Sequence, residues 1–195
     1  GVVSRVCTGI DAADADEVVD AEGRIVVPGG VDPHVHLELP SAGTVSSDDF
    51  PTGTRAAAFG GTTTIIDYAA ARPGETHMAA LEARIEAAHA RACIDYGFHI
   101  VLRNVPEQGL PGMEQLVARG VTSFKMFMAY PGVLYADDAS IYRAMRQATR
   151  HGAMVCIHAE NGLVIAELVR EARERGDLTP AWHARTRPAC TEAEA

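Results

Sequence analysis

No two cysteines in this sequence are close enough to make a C-x-x-C pair: Cys7, Cys93, Cys156 and Cys190 are scattered along the chain. That spacing indicates neither a disulfide framework nor a thiolate zinc site, and the expected location is a reducing cytoplasm. No uninterrupted apolar run is long enough to span a bilayer, and no basic-then-apolar leader opens the chain, so no membrane is expected as a partner. Basic residues are in deficit, 17 Lys and Arg against 26 Asp and Glu, for a formal net charge of -9. A nucleic-acid partner calls for a basic face, and none is expected here. No Gly-rich phosphate loop follows the first strand-like run, which counts against an open doubly wound sheet. An initiator methionine is missing as well, and Gly1 reads as an internal cut.

What is present is a hydrophobic fraction of 47% over 195 residues, enough to bury a core. After a β-rich lead-in over residues 1–27, apolar strand-like runs at 31–37, 62–68, 96–102, 121–127 and 154–158 alternate with helical patterns. The helical stretches are 50–59, 78–92, 114–118, 139–150 and 163–175. Glycines at Gly60-Gly61, Gly120 and Gly152 stand just before strands, where helices commonly end. Strands about 30 residues apart imply right-handed crossovers and a parallel sheet. Five such βα units fall short of a closed (β/α)8 barrel, which has eight strands and typically about 250 residues. The expected fold is therefore α/β: part of a (β/α)8 TIM-like barrel over residues 28–195, truncated at its C-terminus and preceded by a remnant of a small β-rich domain over 1–27. Residues 187–195 read as the approach to another helix.

The chemistry-bearing residues gather at strand ends. In Asp32-Pro33-His34-Val35-His36 two histidines alternate, so on a strand their imidazoles converge on one side, a metal-ligand geometry that suits zinc, iron or nickel. Taken alone the pair also fits two polar residues on a solvent face. Lys125 stands in the apolar run Val121-Thr122-Ser123-Phe124-Lys125-Met126-Phe127, sharing a face with Ser123 and Phe127. A lysine there is expensive unless it is partnered or modified, although a strand-end lysine can also snorkel to water. His158 closes Met154-Val155-Cys156-Ile157-His158. Three histidines and a lysine at the carboxyl ends of strands in one βα series coincide with the face where barrels place their chemistry.

These residues, with Pro28-Gly29-Gly30, Asp48-Asp49-Phe50, Gly60-Gly61-Thr62-Thr63-Thr64, Phe124-Lys125-Met126-Phe127-Met128-Ala129-Tyr130, His158-Ala159-Glu160-Asn161 and His183-Ala184-Arg185-Thr186-Arg187-Pro188, resemble the dihydropyrimidinase and hydantoinase branch of the cyclic amidohydrolases over essentially the whole chain. The resemblance implies two divalent metal ions, usually zinc, with His34 and His36 on one and His158 on the other. It implies N-carboxylation of Lys125, whose carbamate bridges the ions, and a hydroxide that opens a dihydropyrimidine or hydantoin ring to an N-carbamoyl amino acid. Tyr130 matches the family tyrosine that hydrogen-bonds the developing oxyanion, though Ala129-Tyr130-Pro131-Gly132 also reads as an ordinary turn. Phe127, Tyr130 and the loop 39–47 would wall the substrate pocket. The family's remaining metal histidine, its proton-shuttling aspartate and its main-chain substrate contacts are expected beyond residue 195, the intact protein as a homotetramer, and the 195 residues alone as inactive.

Rival readings stay open. Dihydroorotase carries an arginine two residues after the H-x-H, where this chain has Glu38, and a carboxylate there is expected to repel an anionic substrate and favour a neutral ring. Allantoinase, whose substrate is an uncharged ureide, fits that argument too. A non-catalytic dihydropyrimidinase-like scaffold protein is the rival of another class, and retention of His34, His36, Lys125 and His158 argues against it. Asp32 and Asp67, at strand ends, are candidates either for orienting ligands or for bonding neighbouring backbone.

Overall fold

The structure, a computed structural model, describes residues 2–9, 15–41 and 43–195. In chain order its elements are β1 (Gly30–Asp32), β2 (Pro40–Ser41), β3 (Thr44–Val45), α1 (Phe50–Phe59), β4 (Thr62–Ala70), α2 (His77–Ala88), β5 (Asp95–Val101), α3 (Met113–Ala118), β6 (Ser123–Phe127), α4 (Asp138–Arg150), β7 (Met154–His158), α5 (Gly162–Glu174), α6 (Ala181–Arg185) and α7 (Cys190–Ala193). The main sheet runs β1-β4-β5-β6-β7, every neighbouring pair parallel, as the alternating pattern of strands and helices requires.

Side-chain caps fix where the helices leave the sheet. Asp49 accepts from the Thr52 amide at 2.8 Å while the Thr52 hydroxyl accepts from the Asp49 amide at 3.1 Å, a reciprocal cap that starts α1 where the sequence places it. Thr76, Asp137 and Asn161 accept in the same way at the heads of α2, α4 and α5. Phe50, Ile65, Leu81, Ile100, Phe124 and Met126 are fully buried in one core cluster. Alternation along β6 then turns Ser123, Lys125 and Phe127 to the opposite face. Ser123 and Lys125 are buried too, so this strand is covered on both sides, the usual state of a parallel sheet.

Four differences from the sequence reading have physical causes. β1 stops at Asp32 instead of carrying both histidines, because Pro33 has no amide hydrogen for the ladder. The Val35 amide still donates to the Ile66 carbonyl at 3.3 Å, so the H-x-H segment continues beside β4. α2 ends at Ala88, not at residue 92, where Ala90 turns left-handed with φ 57°. The stretch expected as a loop at 39–47 contains the antiparallel hairpin β2/β3. The described residues of the lead-in, 2–9 and 15–27, contain no strand, and Val2, Val3, Ile25 and Val26 are exposed. Extended chain becomes sheet only when its amides and carbonyls find a partner strand, and the described residues offer this segment none.

At the head of α5 the backbone needs glycine. A Cβ on Gly162 would lie 2.7 Å from the Met128 carbonyl oxygen and 2.8 Å from Ala129 Cα, and the Gly162 amide donates to that same carbonyl at 3.1 Å. Gly162→Ala should therefore destabilise the protein by about 1–3 kcal/mol, the usual result of overpacking. The check is a urea titration, in which the midpoint falls at unchanged slope. A parental midpoint would mean that the β6–α5 junction yields without strain.

Candidate metal centre

Beyond β1, the rings of His34 and His36 meet edge to face, centroids 5.2 Å apart. The convergence expected of a strand is kept although the strand has ended. Several bonds hold this segment. Asp32 Oδ1 accepts from the His34 amide at 3.1 Å, and the Ser46 hydroxyl reaches the His36 carbonyl at 3.4 Å and accepts from the Leu39 amide at 2.8 Å. Leu37 packs so closely on α1 that a Cβ on Gly53 would overlap it. Burial first, then the neighbouring His34, holds His36 below the ordinary imidazole pKa. The Lys125 charge adds to this and Asp67 opposes it. His36 thus favours the neutral ring that a metal ligand must have.

Lys125 is 7% exposed, and it is the only lysine in the chain. Among the described residues its Nζ has no hydrogen-bond or salt-bridge partner; the Phe127 ring lies 5.1 Å away. Burial lowers its pKa, against the pull of Cys156, its partner in the β6/β7 register. In the sheet order β4 and β5 stand between β6, which carries Lys125, and β1, which leads into the H-x-H segment.

On the far side of Lys125, His158 ends β7 and its ring stacks 5.9 Å from Phe127 and 5.4 Å from Tyr130. Its Nε2 bonds Glu160 Oε2 at 2.5 Å. A carboxylate accepts, so Nε2 carries the hydrogen and Nδ1 is left as the lone pair available to a cation. Tyr130 lies five residues beyond Lys125 with φ 61°, an uncommon conformation for a tyrosine, and its carbonyl accepts from the amides of Val133, Leu134 and Tyr135. The phenol-bearing residue is 42% exposed, its ring 6.0 Å from Phe127.

The structure thus arranges the sequence-derived residues as two groups flanking Lys125. His34 and His36 line a cavity of about 270 Å³ against α1, and Tyr130 with Glu160 lines another of about 380 Å³ against α5. Among the described residues no group of three or more His, Cys, Asp or Glu side chains is gathered closely enough to hold a metal ion. The donors present are a histidine pair, a single histidine and, between them in the sheet order, the amine of a buried lysine. That set fits a dinuclear centre if the amine becomes an anionic ligand, because the joining group is then Lys125 itself.

Three residues that sequence reasoning passed over complete the surroundings. Tyr68 stacks on His36 at 4.6 Å and lies 5.2 Å from His34, and burial raises its phenol pKa. His99 packs 4.8 Å from Tyr68. Its signal was available: like Lys125, it is a titratable residue inside an apolar strand. Arg84 of α2 pairs with buried Asp67, donates to the Leu37 carbonyl at 3.0 Å and lies 3.9 Å from Glu38. Burial pushes the Asp67 carboxyl pKa up, against the pull of Arg84. Asp67 thus orients an arginine more than a histidine, while Asp32 bonds backbone. Glu38 requires a correction. Its carboxylate lies 2.7 Å from Arg91, just beyond the end of α2, so its charge is already partnered and does not stand in the pocket as a repulsive group.

Comparison with known proteins places this geometry. The amidohydrolase family model matches residues 25–180. A D-hydantoinase of Streptomyces coelicolor is 48% identical over 197 residues, covering 100% of this chain and 42% of its own length. The solved D-hydantoinase of Bacillus sp. AR9 superposes with a TM-score of 0.89 at 46% identity, over 94% of this chain and 40% of that one. The solved dihydropyrimidinase of Brevibacillus agri NCHU1002 gives a TM-score of 0.82 at 46% identity, over 86% and 37%. The chain spans less than half the length of these relatives, and its curled sheet is part of a (β/α)8 barrel. Because the matched stretch runs from before β1 to the residue preceding α6 and contains every strand of the main sheet, the chain belongs to the amidohydrolase family.

Proposed function

We propose that this chain contributes one part of a dinuclear metal centre to an enzyme that hydrolyses the cyclic amide bond of dihydropyrimidines or hydantoins, giving N-carbamoyl amino acids. The observation that carries the reading is the buried Lys125 side chain, whose amine has no polar side-chain partner among the described residues, standing in the sheet order between the His34–His36 segment and His158. The D-hydantoinase and dihydropyrimidinase relatives supply the substrate class. Zinc as the metal, a homotetramer and a cytoplasmic location belong to the same proposal, as does a domain boundary between residues 27 and 28. Among the described residues no helix is long and apolar enough to cross a membrane.

The roles follow from the geometry. His34 and His36 would hold one cation and His158, through Nδ1, the other. Lys125, carboxylated by CO₂, would give one carbamate oxygen to each. Two divalent cations, when bound, supply Lewis-acid polarisation of a carbonyl and a water that deprotonates near neutral pH. Water adds across the ring amide: its oxygen bonds the carbonyl carbon, the C–N bond breaks, and the ring nitrogen leaves with a proton. The Tyr130 phenol, on a loop just beyond β6, donates to the carbonyl oxygen as negative charge gathers there. Phe127, between Tyr130 and His158, offers an apolar wall to the ring.

Three variants of the full-length enzyme test these roles. Lys125→Ala should abolish the second metal, measured as metal stoichiometry; unchanged stoichiometry would sink the carbamate assignment. Glu160→Gln should weaken metal binding by about 10–100-fold, because the amide holds the His158 tautomer less firmly. Chelator competition reads that affinity, and a parental value would remove Glu160 from the site. Tyr130→Phe should lower kcat by about 10²–10³ at unchanged metal content, with little change in KM. Near-normal kcat would leave the phenol a packing group only.

A further inference from the structure

We infer that His99 is a positioning residue that fixes the spacing between the His34–His36 segment and the strand that carries Lys125. The inference rests on the metal-centre reading above. His99 is 6% exposed on β5, and its two ring nitrogens bond two different parts of the site. Nε2 lies 2.8 Å from the carbonyl oxygen of Pro33, the residue immediately before His34. Nδ1 lies 2.5 Å from the Ser123 hydroxyl, two residues before Lys125 and on the same face of β6.

The Pro33 carbonyl accepts, so Nε2 is the protonated nitrogen, and in the neutral ring Nδ1 accepts the Ser123 hydroxyl hydrogen. Both bonds are directional, and one rigid planar ring carries both. Neighbouring strands stand about 4.8 Å apart, so β1 and β5, with β4 between them, would be roughly 10 Å apart in a flat sheet. His99 spans that gap above Tyr68, whose ring packs on His99, His34 and His36. Pro33 lies beyond the end of β1, and its carbonyl has no backbone donor among the described residues, so His99 supplies the bond that ladder pairing no longer gives. A histidine that only satisfied buried polar groups could do so within its own strand pair. This one ties a segment on one side of the centre to a strand on the other.

The geometry separates the two bonds by variant. Glutamine at 99 reaches with a donor amide to where Nε2 stood and loses the Ser123 acceptor. Asparagine places its amide near the position of Nδ1 and falls short of Pro33. In the full-length enzyme, metal affinity is read by chelator competition, and the ligand field by the visible spectrum after reconstitution with Co²⁺. Thermal melting of the metal-free protein checks folding. His99→Asn should bind metal about 10–100-fold more weakly, the range for a lost supporting contact, with a shifted Co²⁺ spectrum, and His99→Gln should recover most of the affinity. Ser123→Ala, a small change at a buried site, should give a weaker loss in the same direction, and it carries the test if the His99→Asn chain does not fold. A folded His99→Asn enzyme with parental affinity and spectrum overturns the inference alone. A parent enzyme that binds no divalent metal overturns it together with the functional reading.

Discussion

A lysine buried on a sheet strand, with no polar side chain among the described residues to receive its amine, is the constraint on which the rest of this molecule turns. Removing an ammonium from water costs several kcal/mol even after relaxation, and the usual remedies are an ion pair, a hydrogen-bond network or loss of the charge. None of the described carboxylates pairs with Lys125; its near neighbours are an aromatic ring, a thiol and an imidazole that its charge disfavours. Burial lowers the Lys125 pKa and so favours the neutral amine, the form that the proposed carboxylation needs. Carboxylation turns a cation that the strand disfavours into an anion that cations on either side would stabilise, and histidines are what stand on either side.

Those histidines lie beyond regular structure, so their placement depends on how the chain is fastened after each strand ends. Glu38 and Tyr130 both adopt positive φ, at 48° and 61°, soon after the H-x-H segment and β6 respectively. Non-glycine residues in this region persist only where surrounding bonds over-determine them. The Glu38 amide donates to the Asp48 carbonyl and its carboxylate pairs with Arg91, while the Tyr130 carbonyl collects three amides. Arg84 does similar work from α2, joining Asp67 on β4 to the Leu37 carbonyl. The loops bearing the chemistry are thus held by polar bonds within the loops themselves and, through Arg84, to α2, while the apolar core holds the helices to the sheet.

That division explains what could be read from residue order. Period and capping are local signals, so α1 is legible to its end residues and β7 likewise, and the alternation that isolates Lys125 follows from β6 alone. The H-x-H convergence is legible as well, though for a reason slightly off the true one, since the pair leans on β4 after its own strand has stopped. Contacts between distant elements leave no local trace. The pairing of Glu38 with Arg91 spans 53 residues and the His99 bond to Pro33 spans 66, so residue order alone shows neither the partner of that carboxylate nor the reach of that histidine. The lead-in has strand composition but, among its described residues, no strand, because sheet formation is decided by a partner and composition supplies only half of it.

The Glu38 carboxylate is committed to arginine, which bears on the charge a substrate would meet. A carboxylate facing the pocket would repel an anionic ring directly; one paired with Arg91 and near Arg84 has little field left to do so. With divalent cations in place the local potential is set by the ions, and they attract anions and polarised carbonyls alike. Under the proposed function, a preference for an uncharged ring would come from a missing attraction, with no repulsion needed. A guanidinium at position 38 would grip a substrate carboxylate through two parallel bonds, whereas this chain commits that position to fastening its own loop.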